Sequence, residues 1–558
     1  MTRLRFALVF FLFLFLIVVV RLFYWQIVKA EELSYLGKSQ YGNYINLPAI
    51  RGEIKTSDAF PIATNKLSFL AYINPREVKD KEKTIKLVSS VLSLNSASVS
   101  AILSSDRLWM PLRSHLTTKT KEELENLKIA GVGFQQESAR FYPEASLAAT
   151  LIGFVGKNDL GEDKGYFGLE GFYDRQLKGK PGFSVAVHDA FGRPILSKMQ
   201  DESSVLNGRS LVLNVDRAVQ FMVERKLKDG IEKYGARGGM VGIMDPKTGN
   251  IISMVSFPSF DPRDYLKSPP DYYKNPFISN LYEPGSTFKS LVMAAGIDSN
   301  VVKPQTKCPI CDKPVSISGY EIKTWNNKYD KDINMIDVIK NSDNTGMVYV
   351  AKSLGLERMI SYLDKFGIGQ VTGVDLQGEA ALSIKPADKW YEIDLATAGF
   401  GQGISVTPIE LLDAFSSIAN EGKRMEPHVV SKIQTPDGQT INIEPKVLST
   451  PISSKTAKVM TEILVNAVDN GEAKWAKTKG YRIAGKTGTA QIPIAGHYDP
   501  NMTIASFIGF APADDPKFAM LVVVDRPTTS IYGAETAAPI FFEIARELLN
   551  YYNIPPKE

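Results

Sequence analysis

The chain has 558 residues, with 65 Lys plus Arg against 61 Asp plus Glu and a formal charge of +4. That length exceeds one domain and is enough to bury sizeable cores. The near-balanced charge, with no basic cluster interleaved with aromatics, argues against a nucleic-acid partner.

The first informative stretch is Phe6 to Val20, apolar and uncharged. At 15 residues it is short of the roughly 20 that a full membrane span needs. Beyond Arg21, the amphipathic and aromatic Leu22 to Val28 suits a membrane interface, and Arg21 can snorkel. A cleaved signal peptide needs a small-x-small site, and Arg21-Leu22-Phe23-Tyr24 offers none. Residues 1–30 therefore read as a short tail and an uncleaved anchor. Arg3, Arg5 and the amino terminus favour a cytoplasmic N-terminus, with the rest of the chain outside the cytoplasm.

Residues 31–210 read as a first module. Strands are expected around Asn46–Ile54 and Leu67–Asn74, helices at Lys83–Val91 and Thr120–Leu127, and loops through the Gly-rich Gly161–Gly182. From Asn214 a helical run leads into a second module, residues 211–558. A hairpin over Gly239–Phe257 comes next, then a helix from Ser286 to Gly296 opened by the Pro284-Gly285 turn. Residues 290–480 read as largely helical. Strands return at Arg482–Gln491, Thr503–Phe510 and Phe518–Val524, and a helix closes the chain at Ala538–Tyr552. Strands at both ends around a helical middle predict an α+β fold, an antiparallel sheet flanked by helices.

Three motifs occur in one order: Ser286-Thr287-Phe288-Lys289, Ser342-Asp343-Asn344 and Lys486-Thr487-Gly488. Ser286 is the one serine followed by lysine three positions later. On a helix those two positions share a face, so Lys289 can serve Ser286 as base. A lysine buried among other cations has a depressed pKa and can accept a proton near neutrality. Ser342 can relay a proton, and Asn344 can fix a peptide substrate. The segment around Lys486 reads as a strand whose edge can pair with an extended peptide. Lys486 and Thr487 can hold a carboxylate, and Gly488 can leave room for a ligand backbone. Two decoys are present. Lys247-Thr248-Gly249 lies in a predicted hairpin tip, and Ser93-Leu94-Asn95 repeats the S-x-N pattern alone.

The two cysteines, Cys308 and Cys311, have C-x-x-C spacing. Two thiols cannot fill a tetrahedral zinc site. A local disulfide suits an oxidising compartment, with free thiols and a redox or metal role left open. No cofactor and no metal are expected.

S-x-x-K, S-D-N and K-T-G occur together in penicillin-recognising serine enzymes. Tyr282 to Lys289 resembles the nucleophile segment of class B penicillin-binding proteins. Arg51-Gly52-Glu53-Ile54, Arg140-Phe141-Tyr142-Pro143 and Gly168-Leu169-Glu170-Gly171 resemble motifs of their N-terminal pedestal, or dimerisation, module. Gly401 to Pro408 and Asp525 to Pro539 are similar to the division-type rather than the elongation-type branch. The usual Asp-Arg-x-Gly after the first pedestal motif is replaced by Lys55 to Phe60. The resemblance implies a D,D-transpeptidase that cross-links peptidoglycan stem peptides through an acyl-enzyme on Ser286 and is acylated by β-lactams. It assigns Lys289 as base, Ser342 and Asn344 to the same centre, and Lys486, Thr487, Gly488 and Thr489 to substrate binding. The backbone N–H groups of Ser286 and Thr489 are the implied oxyanion donors. Partners implied are the cell membrane, a glycan polymerase and other division proteins. The rivals are a serine β-lactamase or D,D-carboxypeptidase, and a non-catalytic β-lactam receptor. A class A lactamase needs an acidic E-x-x-x-N loop soon after S-D-N, and the near match Glu462 to Asn466 comes too late in the chain. The pedestal motifs read as structural, since they lack a paired nucleophile and base.

Overall fold

A computed structural model of the chain describes residues 2–30, 33, 42–159, 161–187, 205–494 and 497–556. They form two compact units, 1–50 with 179–208, and 51–178 with 209–558.

In the first unit, a helix over Thr2–Phe23 continues into a π-helical turn at Tyr24–Val28. Leu8–Val28, 21 residues, is long and apolar enough to cross a bilayer. The expected short apolar run and the aromatic stretch after it thus form one continuous segment. Arg21 does not break it, because helical hydrogen bonds are made by the backbone and a long side chain can carry its charge toward a headgroup. The unit also contains an antiparallel pair, Gly42–Leu47 with Gly182–Val187.

The second unit begins with a seven-stranded sheet. In order it holds Thr440–Asn442, Val430–Gln434, Ser210–Leu213, Ile54–Lys55, Pro61–Ile73 and Met110–Leu116, with Val132–Phe141 also paired to Pro61–Ile73. The expected strand over Asn46–Ile54 is therefore two strands, ending at Leu47 and restarting at Ile54. Gly52 lies between them, where a Cβ would come within 1.8 Å of Arg209 O. Helices Lys81–Leu92 and Thr118–Asn126 form as expected. Gly161–Gly182 is not loop throughout: it holds a strand at Asp163–Tyr166 and short helices at Gly168–Phe172 and Asp174–Leu177. Its glycines permit close packing instead, since a Cβ on Gly165 would meet Glu170 O at 1.8 Å.

Glu170 explains this packing. It is fully buried between Arg140 Nε and Arg51 Nη2, each 2.6 Å away, and Arg51 Nη1 reaches Asp174 at 2.7 Å. Burial opposes its charge, but Arg140 and Arg51 outweigh that and hold the carboxyl below its usual range. The pedestal motifs meet in this one buried cluster, as the structural reading requires. Tyr173 Oη next door donates to Asp375 at 2.9 Å, and Asp375 accepts from the Val429 and Val430 amides.

The C-terminal part contains α1 (Arg217–Tyr234), β1 (Gly238–Met244), β2 (Ile251–Phe257), α2 (Lys289–Asp298), α3 (Asn344–Leu354), α4 (Pro408–Ala419), α5 (Ser454–Asn470), β3 (Ala484–Ile494), β4 (His497–Ala511), β5 (Phe518–Asp525) and α6 (Ala537–Tyr551). The strands form an antiparallel sheet in the order β2-β1-β5-β4-β3. Period-two alternation sends Val241, Ile243, Met520 and Val522 to one face, with Val223, Leu227, Phe541 and Leu548 of α1 and α6. Met240, Met244, Leu521 and Val523 face α2 and α4 on the other side. The fold is α+β, as expected. Residues 290–480 are less helical than expected, with short strands at Arg424–Met425, Val430–Gln434, Thr440–Asn442 and Val447–Ser449. One of these strands joins the first sheet by pairing with Ser210–Leu213, a contact no local pattern announces. Cys308 and Cys311 are joined by a disulfide.

Both decoys have structural explanations. Lys247-Thr248-Gly249 forms the β1–β2 tip, where Lys247 pairs with Asp515 in solvent. Ser93 ends one helix with φ 51°, and Asn95 caps the next by accepting from Ala97 N. Glu170→Ala is expected to cost about 3–5 kcal/mol, because it strands two buried guanidiniums. Lys247→Ala should stay within about 0.5 kcal/mol. Urea unfolding of the two variants measures the contrast.

Candidate active site

Ser286 sits in a 3-10 turn, Gly285–Thr287, immediately before α2 rather than inside a longer α-helix. Gly285 starts the turn at φ 56°, a conformation that favours glycine. The segment from Gly401 onward supports the turn. Gly285 N donates to Gly401 O at 3.0 Å, Gly403 N donates to Glu283 Oε1 at 3.0 Å, and Tyr282 bridges Val406. A Cβ on Gly401 would lie 2.2 Å from Gly285 O, so this contact requires glycine.

Lys289 begins α2 and is fully buried. Its Nζ donates to Ser342 O and Asn344 Oδ1, both at 2.7 Å, with Ser342 Oγ at 3.4 Å. Ser342 is brought there by a sharp reversal. It has φ 55°, and Asp343 caps α3 by accepting from Gly346 N and the Thr345 hydroxyl. The middle residue of S-D-N is thus a helix cap that turns its neighbours toward Lys289. Asn344 is held at both ends of its amide, since Nδ2 donates to Lys323 O at 2.8 Å.

Lys486 lies on β3, the edge strand of the sheet, as predicted. Its Nζ donates to Ser342 Oγ and Thr487 Oγ1, each at 3.0 Å. Ser342 Oγ therefore stands between two buried lysines. Burial lowers the pKa of Lys289 first, and the charge of Lys486 lowers it further, to about 7. Burial lowers that of Lys486 as well.

Two acceptor-only oxygens, Ser342 O and Asn344 Oδ1, take two N–H bonds of Lys289 at short range. A neutral amine has two such hydrogens and one lone pair, so this arrangement leaves the lone pair for a hydroxyl proton. Ser286 Oγ has no hydrogen-bond partner among the described residues and lines the adjoining cleft.

The cleft encloses about 1010 Å³ and is lined by Ser286, Ser342, Asn344, Thr487 and Thr489. Lys289, Lys486 and Gly488 lie beneath that surface. A Cβ on Gly488 would lie 2.3 Å from Ser506 Oγ and 2.8 Å from Thr287 Cγ2. The missing side chain thus lets the Gly285–Thr287 turn pack on β3. Gly533 N donates to Thr489 Oγ1 at 3.0 Å on the far side. Sequence reasoning missed the aromatic rim of Trp325, Tyr498 and Tyr532, and it missed Glu472. None belongs to a short motif; exposed tryptophan and tyrosine near the three motifs would have been the available signal. Glu462, the lactamase-like candidate, instead pairs with Arg482 at 2.9 Å in solvent.

Residues 239–546 match the penicillin-binding protein transpeptidase domain, and residues 46–213 match the penicillin-binding protein dimerisation domain. The chain belongs to the family of penicillin-binding proteins that carry this transpeptidase domain. It is similar to stage V sporulation protein D of Bacillus subtilis, with 34% identity over 100% of this chain and 86% of that protein. Peptidoglycan D,D-transpeptidase FtsI of Escherichia coli is 28% identical over 95% of this chain and 88% of its own. Penicillin binding protein 3 of Mycobacterium tuberculosis, solved with ampicillin, superposes with a TM-score of 0.71 at 25% identity, covering 92% of this chain and 97% of that one.

Labelling of Ser286 by a fluorescent penicillin should follow the neutral fraction of Lys289. The rate is expected to fall about tenfold per pH unit below the pKa of about 7 and to level off above it. Lys486→Ala removes the neighbouring cation, so the inflection should move to higher pH even as the rate drops. A pH–rate series on both proteins measures the shift.

Proposed function

We propose that this chain is a membrane-anchored peptidoglycan D,D-transpeptidase working through a serine acyl-enzyme. The observation that carries the reading is the geometry of Lys289. Its hydrogens are taken by two acceptors while a partnerless serine hydroxyl faces the cleft. In the first half-reaction Lys289 takes the Ser286 proton and Oγ bonds to the penultimate D-alanine carbonyl of a stem peptide. The backbone N–H groups of Ser286 and Thr489 hold the oxyanion. Collapse breaks the C–N bond; Ser342 passes its proton to the departing D-alanine and takes in turn the one that Lys289 holds. The D-alanine carboxylate lies against the Thr487 and Thr489 hydroxyls, over the charge of Lys486. A second stem's amine then attacks the ester, its proton returns through Lys289, and Ser286 is regenerated. β-Lactams stop at the acyl stage on the same serine.

Residues 1–30 serve as the anchor with a cytoplasmic N-terminus, 31–210 as the pedestal and 211–558 as the extracytoplasmic catalytic domain. The likeness to a sporulation protein and to FtsI supports septal-type wall synthesis with a glycan polymerase and other division proteins as partners.

Ser286→Ala is expected to abolish penicillin labelling while leaving the unfolding midpoint unchanged. Labelling of the folded variant at another serine would overturn the site. The reaction class is tested on lipid-linked precursor with a polymerase supplied. Cross-linked dimers are expected, and release of D-alanine with tetrapeptide alone would instead mean hydrolysis. Protein lacking residues 1–30 should remain soluble and penicillin-labelled, yet fail to support septation in cells.

A further inference from the structure

Burial favours the neutral form of both Lys289 and Lys486. The reaction above uses them differently, Lys289 as a base and Lys486 as the charge beneath a substrate carboxylate. Burial alone does not separate these roles, so the groups around the pair have to.

Glu472 follows Gly471, the residue that ends α5, and lines the cleft. Its Oε2 accepts the Thr487 hydroxyl at 2.8 Å, and the same Thr487 oxygen accepts from Lys486 Nζ at 3.0 Å. Lys486, Thr487 and Glu472 thus form a chain of ammonium, hydroxyl and carboxylate. A hydroxyl that donates to a carboxylate is a stronger acceptor for the ammonium behind it. The short bonds of Lys289 end instead on the neutral oxygens Ser342 O and Asn344 Oδ1.

Two carboxylates act on Lys289. The larger effect comes from Asp343, whose Oδ1 is held by Gly346 N and the Thr345 hydroxyl at the α3 cap, and the smaller from Glu472. On Lys486, Glu472 is the one carboxylate that opposes burial. The other cleft charges are engaged elsewhere or face solvent. Glu321 pairs with Lys323 at 2.8 Å, Glu535 accepts the Ser530 hydroxyl at 2.6 Å, and Lys474 is exposed.

We infer that Glu472 is a positioning residue that, through the Thr487 hydroxyl, keeps Lys486 the charged member of the lysine pair. The inference rests on the transpeptidase reading above and deepens its account of carboxylate recognition. The Thr487 hydroxyl can rotate toward an arriving carboxylate. Glu472 is only part-buried, so water can take the place of that donor while the glutamate charge goes on acting on Lys486. Glu472 therefore supports carboxylate binding by holding the cation beneath it.

The test is the pH dependence of second-order acylation of Ser286 by benzylpenicillin, followed by intact-protein mass spectrometry from about pH 6 to about pH 9.5. The rate rises as Lys289 becomes neutral, levels off, and falls at more alkaline pH where Lys486 loses its charge. Glu472→Gln keeps a side-chain acceptor for Thr487 and removes the negative charge, so both lysines should release their protons at lower pH. The alkaline fall is expected to move down by about one pH unit, with the acid rise moving in the same direction. Glu472→Ala should do the same and decides the matter if the glutamine variant does not fold. Glu472→Asp, which retains a carboxylate, should restore the native profile. A lower rate at every pH with the alkaline midpoint moved down by less than about 0.3 unit, or moved up, overturns the inference while leaving the transpeptidase reading intact. So does a displacement by Glu472→Asp as large as that by Glu472→Gln, because charge would then not be the cause. Failure of the native protein to be acylated at any pH overturns that reading and the inference with it.

Discussion

Two lysine side chains buried within reach of one serine hydroxyl set the terms for the rest of the site. Lys289 and Lys486 are 0% and 3% exposed, and each reaches Ser342 Oγ. Burying one ammonium is expensive, and burying two side by side is more so. No carboxylate forms an ion pair with either lysine among the described residues. The cost is met by fixed acceptors (Ser342 O, Asn344 Oδ1, Thr487 Oγ1) and by the lowered proton affinity of Lys289. Stability is given up locally so that Lys289 can release its proton near neutral pH.

Such a centre works only if its parts arrive without slack. The Ser286 turn, the α3 cap and β3 come from distant stretches of sequence and meet through contacts that tolerate no side chain. Gly401 against the Gly285 backbone, and Gly488 against the Thr287 and Ser506 side chains, allow approaches that a methyl group would prevent. The sheet places β3 at its edge, and α2 and α4 cover the face beneath.

Much of this was legible in the sequence because the signals are local. Ser286 and Lys289 are one turn apart, and the run around Lys486 alternates as a strand does. The pedestal motifs could be assigned to packing because they supplied charges without a nucleophile. What escaped prediction depends on tertiary meeting. Glu472 is near Thr487 because α5 ends beside β3, and no spacing rule encodes that encounter. The strand at Val430–Gln434 was missed because its partner, Ser210–Leu213, lies in a different part of the chain. Gly488 was expected to leave room for a ligand backbone; in the structure the space a Cβ would take is filled by Thr287 and Ser506.

The seven-stranded sheet has a consequence for biogenesis. Leu213 pairs with Val430, on the order of two hundred residues later, and that strand in turn flanks Ile54–Lys55. In the order of synthesis, Ser210–Leu213 is complete with this edge unpaired long before its partner Val430–Gln434 appears. Unpaired edges invite association with other chains. The pedestal thus cannot be completed as an independent folding step, and its last strand closes only after most of the transpeptidase domain has been delivered. The division between the two matched regions is a boundary in sequence but not in assembly order. That makes the interval before sheet closure the stage at which a folding chaperone has the most to protect.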